Sequence, residues 1–286
     1  MVFLPVIGAG LEAVGSVLSK RIVNRHNVNY KNYIVYAFLS IVIISLPLAL
    51  YFWRADPIAF SSVNLSLFGL IVLFSILANC FIIYALKRDS LSELTPMRLT
   101  APLFTILIAF IFSFFFEVYT DERNYSVLFF ALVASVALII AHVKRDEIVF
   151  DKYSIFTLIG SFLFAVEMVL SKPLLGFYNP ITFYFIRSLW IFVITLLIFH
   201  PKVSSLKSKA KWMIFGVSII FVLYRVIIYY GYLTLGIVFT TSILVLAPVL
   251  IFVLARIFLK EKVTRKQVIS SLIIVLCVLG AIWVGG

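Results

Sequence analysis

The sequence predicts an all-α integral membrane protein of ten transmembrane helices arranged as two inverted five-helix repeats. Three observations predict it: an apolar excess that a water-soluble chain could not bury, ten apolar runs of spanning length, and an internal repeat with opposite loop charge in its two copies. Of the 286 residues, 64% are hydrophobic and 13% charged, and the mean hydropathy is +1.17. An average soluble domain carries about 45–50% apolar and about 25% charged residues. Most of a globule's surface must still face water, so this composition excludes an ordinary soluble enzyme, a disordered chain and a nucleic-acid-binding module.

A spanning helix needs about 20 mainly apolar residues, and ten segments meet that test. The first, 2–19, is read as a retained span, because no small-residue cleavage site follows it and Glu12 interrupts its apolar run. The next four are 33–53, 66–86 with Asn79, 95–116 with Pro102, and 125–142. The sixth, 153–172, carries Glu167; the seventh, 180–199, carries Arg187; the eighth, 212–233, carries Arg225. The ninth, 237–259, contains Pro248, and 267–284 is the tenth. The runs are continuous and do not alternate residue by residue, which favours helices over a barrel, and helices satisfy their own backbone in lipid.

Loop charge predicts orientation. Seventeen of the 24 Lys and Arg lie in odd-numbered loops and three, Arg54, Arg123 and Lys172, in even-numbered ones. The odd loops are therefore expected in the cytoplasm, placing both termini outside, with basic loops against anionic lipid headgroups. The membrane expected is the plasma (inner) membrane.

Residues Gly8–Asn27 align with Gly160–Asn179 at an offset of 152 with nine identities, including Val17-Leu18-Ser19-Lys20 against Val169-Leu170-Ser171-Lys172. At an offset of 146, Tyr84 matches Tyr230, Thr95 matches Thr241, and Ala101-Pro102 matches Ala247-Pro248. The halves divide as 1–147 and 148–286. Five spans per copy invert the second copy, and equivalent loops differ in charge as inversion requires: four Lys/Arg follow the first span, only Lys172 its partner. Inverted repeats around an intramembrane site are an architecture of secondary carriers.

The stretch Tyr230-Gly231-Tyr232-Leu233, then Ala247-Pro248-Val249-Leu250, then Phe258-Leu259-Lys260-Glu261-Lys262 resembles the drug/metabolite transporter superfamily, in particular its EamA-type ten-helix members. Lys260 stands where Gly is usual, and the first-half copy, Phe115-Phe116-Glu117, is weaker. The resemblance implies metabolite transport, amino-acid export being a common activity. Many relatives keep both termini in the cytoplasm, the reverse of what these charges predict.

Ionisable groups inside a bilayer are costly and are functional candidates by default. Glu12 and Glu167 are the acids within spans, read as a cation or proton site or as partners of interior arginines. Arg187 and Arg225 are read as clamps for a carboxylate or phosphate, or as members of fixed ion pairs. Arg98 and Arg256 are expected to snorkel to headgroups. Tyr84, Trp190, Tyr224, Tyr229 and Tyr230, beside Asn79, are candidates to stack on an aromatic substrate or cage an amine, against plain packing. Pro102 and Pro248 are candidate hinges.

Cys80 and Cys277 form no metal or redox motif, and neither a Walker loop nor HExxH occurs. No cofactor, metal or catalytic residue is expected, and the partners expected are a small substrate, protons, membrane lipids and, at most, a second copy in a homodimer. The reading is a secondary transporter of small metabolites, amino acids or organic amines ahead, by alternating access with a proton as a possible coupling ion. The alternatives are a nucleotide-sugar or sugar-phosphate exchanger, a flippase for a lipid-linked intermediate and, behind these, an intramembrane enzyme.

Overall fold

The computed structural model describes residues 3–25, 28–88, 100–142, 152–201, 207–254, 257 and 265–285. The chain is helical, and the described residues contain no strand beyond one isolated bridge between Ala55 and Tyr178. The helices are α1 (Phe3–Arg25), α2 (Tyr30–Tyr51), α3 (Ser62–Arg88), α4 (Thr100–Phe112), α5 (Tyr125–His142), α6 (Lys152–Leu175), α7 (Pro180–Phe199), α8 (Ser208–Thr234), α9 (Ile237–Leu244), α10 (Leu246–Leu254) and α11 (Arg265–Gly285). Among the described residues, eight segments are long and apolar enough to cross a membrane, with α9 and α10 counting as one. Thr100–Phe112 and Tyr125–Ala137 are shorter apolar helices.

Local chemistry sets the boundaries. Asn29 and Asn179 cap α2 and α7, each side chain accepting from the backbone N–H two residues on, and Pro180 opens α7 with its preset φ. The fourth span, expected to run to 116, ends earlier. After Phe112 the chain turns, the Ser113 hydroxyl bonds the Phe110 carbonyl, and the Arg123 guanidinium takes the Ser113 carbonyl. The expected 95–99 part of that span lies outside the described residues. The ninth span is broken into α9 and α10 at Val245, three residues before Pro248. Proline has no N–H to offer the Leu244 carbonyl one turn back, so the ladder is interrupted there.

The most extensive helix contacts pair α3 with α6, α5 with α11, α2 with α7 and α1 with α8. Two glycines allow close approach. A Cβ on Gly160 of α6 would lie 2.8 Å from Ile82 of α3, and one on Gly8 of α1 would lie 3.2 Å from Ile227 of α8. Outward, large apolar side chains are exposed all round, among them Leu50, Val63, Phe129, Leu197, Leu276 and Trp283. That is a lipid-facing surface, far beyond the isolated patches of soluble monomers. Inside, hydroxyls are spent on carbonyls a turn back, as for Ser45, Ser135, Ser171 and Thr195, which satisfies polar atoms without water.

The even-numbered loops pack on one another. Asp56 N–H donates to the Phe177 carbonyl, Asn179 N–H to the Arg54 carbonyl, and Arg54 N–H to the Thr182 hydroxyl. Beside them the 3-10 helix Glu117–Glu122 buries Glu122 against the start of α9. Its carboxylate accepts from the N–H groups of Ile237 at 2.7 Å and Val238 at 2.8 Å and pairs with Lys172.

Candidate functional site

Glu167 lies in the middle of α6, fully buried. One carboxylate oxygen stands 3.1 Å from Arg187 of α7, and the other 3.7 Å from Arg225 of α8. The Tyr229 hydroxyl donates to the oxygen facing Arg187, at 3.4 Å. Arg187 also donates through Nε and Nη2 to the Ser75 hydroxyl of α3, at 3.1 and 2.7 Å. Tyr184 lies 5.8 Å from its guanidinium. Arg225 sits 4.6 Å from the Phe164 ring and contacts the Met168 sulfur. Three helices thus meet at one carboxylate, with α3 joined to it through Arg187, and two guanidinium groups outnumber it by one positive charge.

Glu12 of α1 is half-buried and accepts a hydrogen bond from the Tyr224 hydroxyl of α8 at 2.7 Å. Beside it lies a cavity of about 170 Å³ bordered by Glu12, Asn79, Tyr184, Arg187, Tyr224 and Arg225, well above the ~10–15 Å³ that one water needs. Ser19, buried and with no hydrogen-bond partner for its hydroxyl among the described residues, borders it as well. A second cavity of about 80 Å³ reaches Pro102, Thr105, Met168, Tyr232, Thr241 and Pro248. Glu12, Ser16, Phe164 and Tyr224 border both. Carboxylate, guanidinium and aromatic groups around one space can hold a molecule carrying both signs of charge.

Most of the residues singled out from the sequence meet here: Glu12, Asn79, Arg187, Tyr224 and Arg225 at the larger cavity, Glu167 and Tyr229 in the ion cluster behind it, Pro102 and Pro248 at the smaller one. Three do not. Trp190 and Tyr230 are 52% and 42% exposed, because the helical turn carries them to the lipid side of α7 and α8. Tyr84 packs in a ring cluster with Tyr30, Tyr153 and Phe156. Arg98 and Arg256 lie outside the described residues. Ser75, Ser19, Phe164 and Met168 were not singled out. Two of them carried a signal, Ser19 as the repeat match of Ser171 and Phe164 as the offset-152 counterpart of Glu12. Among the described residues no group of three or more His, Cys, Asp or Glu could hold a metal.

The helices and their lipid-facing surface define a multi-pass integral membrane protein. Residues 151–284, the second half of the chain, match the model of the EamA-like transporter family, within the drug/metabolite transporter superfamily. The match bears out the resemblance read from the motifs. No curated protein matches the chain. A solved crystal structure aligns with TM-score 0.72 at 14% identity, over 99% of this chain and 98% of that one; at that identity the likeness is one of fold.

Proposed function

We propose that the protein is a secondary transporter of small metabolites, zwitterionic amino acids ahead of organic amines, working by alternating access, and not an enzyme. The observation that carries the reading is the larger cavity, where Glu12 meets Arg187 and Arg225. Glu167 balances one of the two guanidinium charges, leaving one for a substrate carboxylate, while Glu12 takes an ammonium. Arg187 and Arg225 hold the acid end as bidentate donors, and Glu12 and the ring of Tyr224 hold the amine. Where substrate and proton compete, the competition falls on Glu12, which borders both cavities.

Ten spans in two inverted halves complete the proposal, with the short helices α4 and α5 as the fourth and fifth spans. Exchange the halves, α1 for α6, α2 for α7, α3 for α8, α4 for α9–α10 and α5 for α11. The contact of α3 with α6 becomes that of α8 with α1, and α4 with α6 becomes α9–α10 with α1; all of these occur, while the pairs α2–α7 and α5–α11 map onto themselves. The repeat glycines obey the same exchange: Gly160 packs on Phe81 and Ile82, Gly8 on Ile227, at matched offsets. Such halves rock about a shared site, with Pro102 and Pro248 as hinges. The loop charges put both termini outside the cell, in the plasma (inner) membrane.

Thermal unfolding of the detergent-purified protein against amino acids, amines, sugar phosphates and nucleotide sugars tests the reading. A bound ligand at 100 times its dissociation constant stabilises by about 2.7 kcal/mol. Stabilisation by amino acids or amines is expected. Stabilisation by nucleotide sugars or sugar phosphates alone overturns it in favour of an anion exchanger.

A further inference from the structure

The smaller cavity has no task in holding a zwitterionic head. Its polar wall atoms are largely satisfied by one another: the Thr105 hydroxyl donates to the Ala101 carbonyl at 2.9 Å, and the Tyr232 and Thr241 hydroxyls share a hydrogen bond at 3.2 Å. Away from Glu12 and Ser16 at its border with the larger cavity, the wall is then carbon, from these residues and Pro102, Met168, Ile228 and Ile251. An apolar hollow takes up apolar groups, because water there gains few hydrogen bonds. The larger cavity is more polar, adding two guanidinium groups and the buried Ser19 hydroxyl, which has no hydrogen-bond partner among the described residues. The two meet at Glu12, Ser16, Phe164 and Tyr224.

We infer that the smaller cavity is the side-chain subsite of the carrier, and that its substrates are amino acids with a short aliphatic side chain. This rests on the zwitterion reading above. The ammonium group takes the Glu12 oxygen now held by the Tyr224 hydroxyl, and the freed phenol swings aside. The boundary between the cavities opens at that point, and the side chain passes along Phe164 toward Met168 and Pro248. The carboxylate stays with Arg187 and Arg225. At about 80 Å³ the hollow is less than half the size of the neighbouring cavity of about 170 Å³, which favours a compact aliphatic group over an indole. The residues that set selectivity are those that size this hollow, Ala101 on α4 and Ile251 on α10.

The test is binding of glycine, leucine and phenylalanine to the full-length protein in detergent, by calorimetry or displacement of labelled leucine. Leucine is expected to bind at least about tenfold tighter than glycine, since burying several methylenes is worth that much. Ala101→Leu fills the hollow and should bring the leucine-to-glycine ratio close to one. Ile251→Ala enlarges it and should raise the phenylalanine-to-leucine ratio. The ratios are internal to each variant, so partial loss of folded protein does not distort them. If amino acids bind with the wild-type ratios in both variants, the side-chain subsite is wrong and the zwitterion site stands. If no amino acid binds the wild-type protein, the functional reading itself fails, and this inference with it.

Discussion

The Glu167 carboxylate stands 3.1 Å from the Arg187 guanidinium, and both side chains are sealed from solvent. A buried ion pair of this kind is held by its desolvated surroundings, and removing one member leaves an uncompensated charge. Arg187→Met should therefore destabilise the protein by about 3–5 kcal/mol, read as a lower unfolding temperature in detergent. Ser75→Ala, which removes the acceptor of two guanidinium hydrogen bonds, should cost about 1 kcal/mol. An Arg187→Met protein as stable as wild type would show that the cluster does not bind the helices together.

Glu122 ties the two halves of the chain at the even-loop face. It accepts two N–H groups at the start of α9 and pairs with Lys172 at the end of α6. The positive end of a helix favours a carboxylate there. Glu122→Ala removes all three interactions and should cost about 3 kcal/mol, most of it from stranding Lys172. Gly236, at φ +84, precedes α9, and a Cβ on it would come within 3.1 Å of the same carboxylate. Gly236→Ala should thus be destabilising by about 1–2 kcal/mol through backbone strain alone. Chemical unfolding of both variants checks the order.

Tyr119 supplies a pH dependence at the same face. Its hydroxyl donates to the Val169 carbonyl at 2.9 Å. Burial raises its pKa above the usual phenol value of 10.0, and the neighbouring Glu122 carboxylate raises it further. A raised phenol contributes stability that is complete below the unfolded-state value and is lost as pH climbs from there toward the folded value. Stability should fall above about pH 10, and Tyr119→Phe should flatten that part of the curve. An alkaline limb identical in the variant would contradict the assignment.

Transport should owe its pH dependence to Glu12. This carboxylate borders both cavities and accepts from a phenol, whereas Glu167 is held between two guanidinium groups. Glu12→Gln, which can neither bind nor release a proton, is expected to give a flux independent of pH. A pH profile like that of the wild type would remove Glu12 from that role.

Eight of the expected spans were legible because hydropathy is a one-dimensional signal that lipid enforces along each helix. The pairing of Glu167 with two arginines was legible only as an alternative, because it depends on how α6, α7 and α8 are rotated. Rotation also decided the aromatics: Trp190 is three positions from Arg187, about 60° around a helix, and that was enough to turn it to the lipid side. Ser75 carried no signal among many serines, and it matters only because α3 brings it to Arg187. In the sequence Glu122 stands with Glu117 and Asp121 in one short stretch, yet it is 1% exposed; carboxylates are so seldom fully buried that nothing local announces it. The break before Pro248 was expected from the missing N–H, but the early end of α4 came from Arg123 reaching back to Ser113.

The most direct test is uptake of labelled neutral amino acids by liposomes reconstituted with the purified protein. A carrier with a zwitterion site predicts saturable uptake above protein-free liposomes, with competition among aliphatic amino acids and little effect of sugar phosphates. Uptake no faster than in protein-free liposomes for every amino acid, alongside rapid exchange of nucleotide sugars or sugar phosphates, would contradict it.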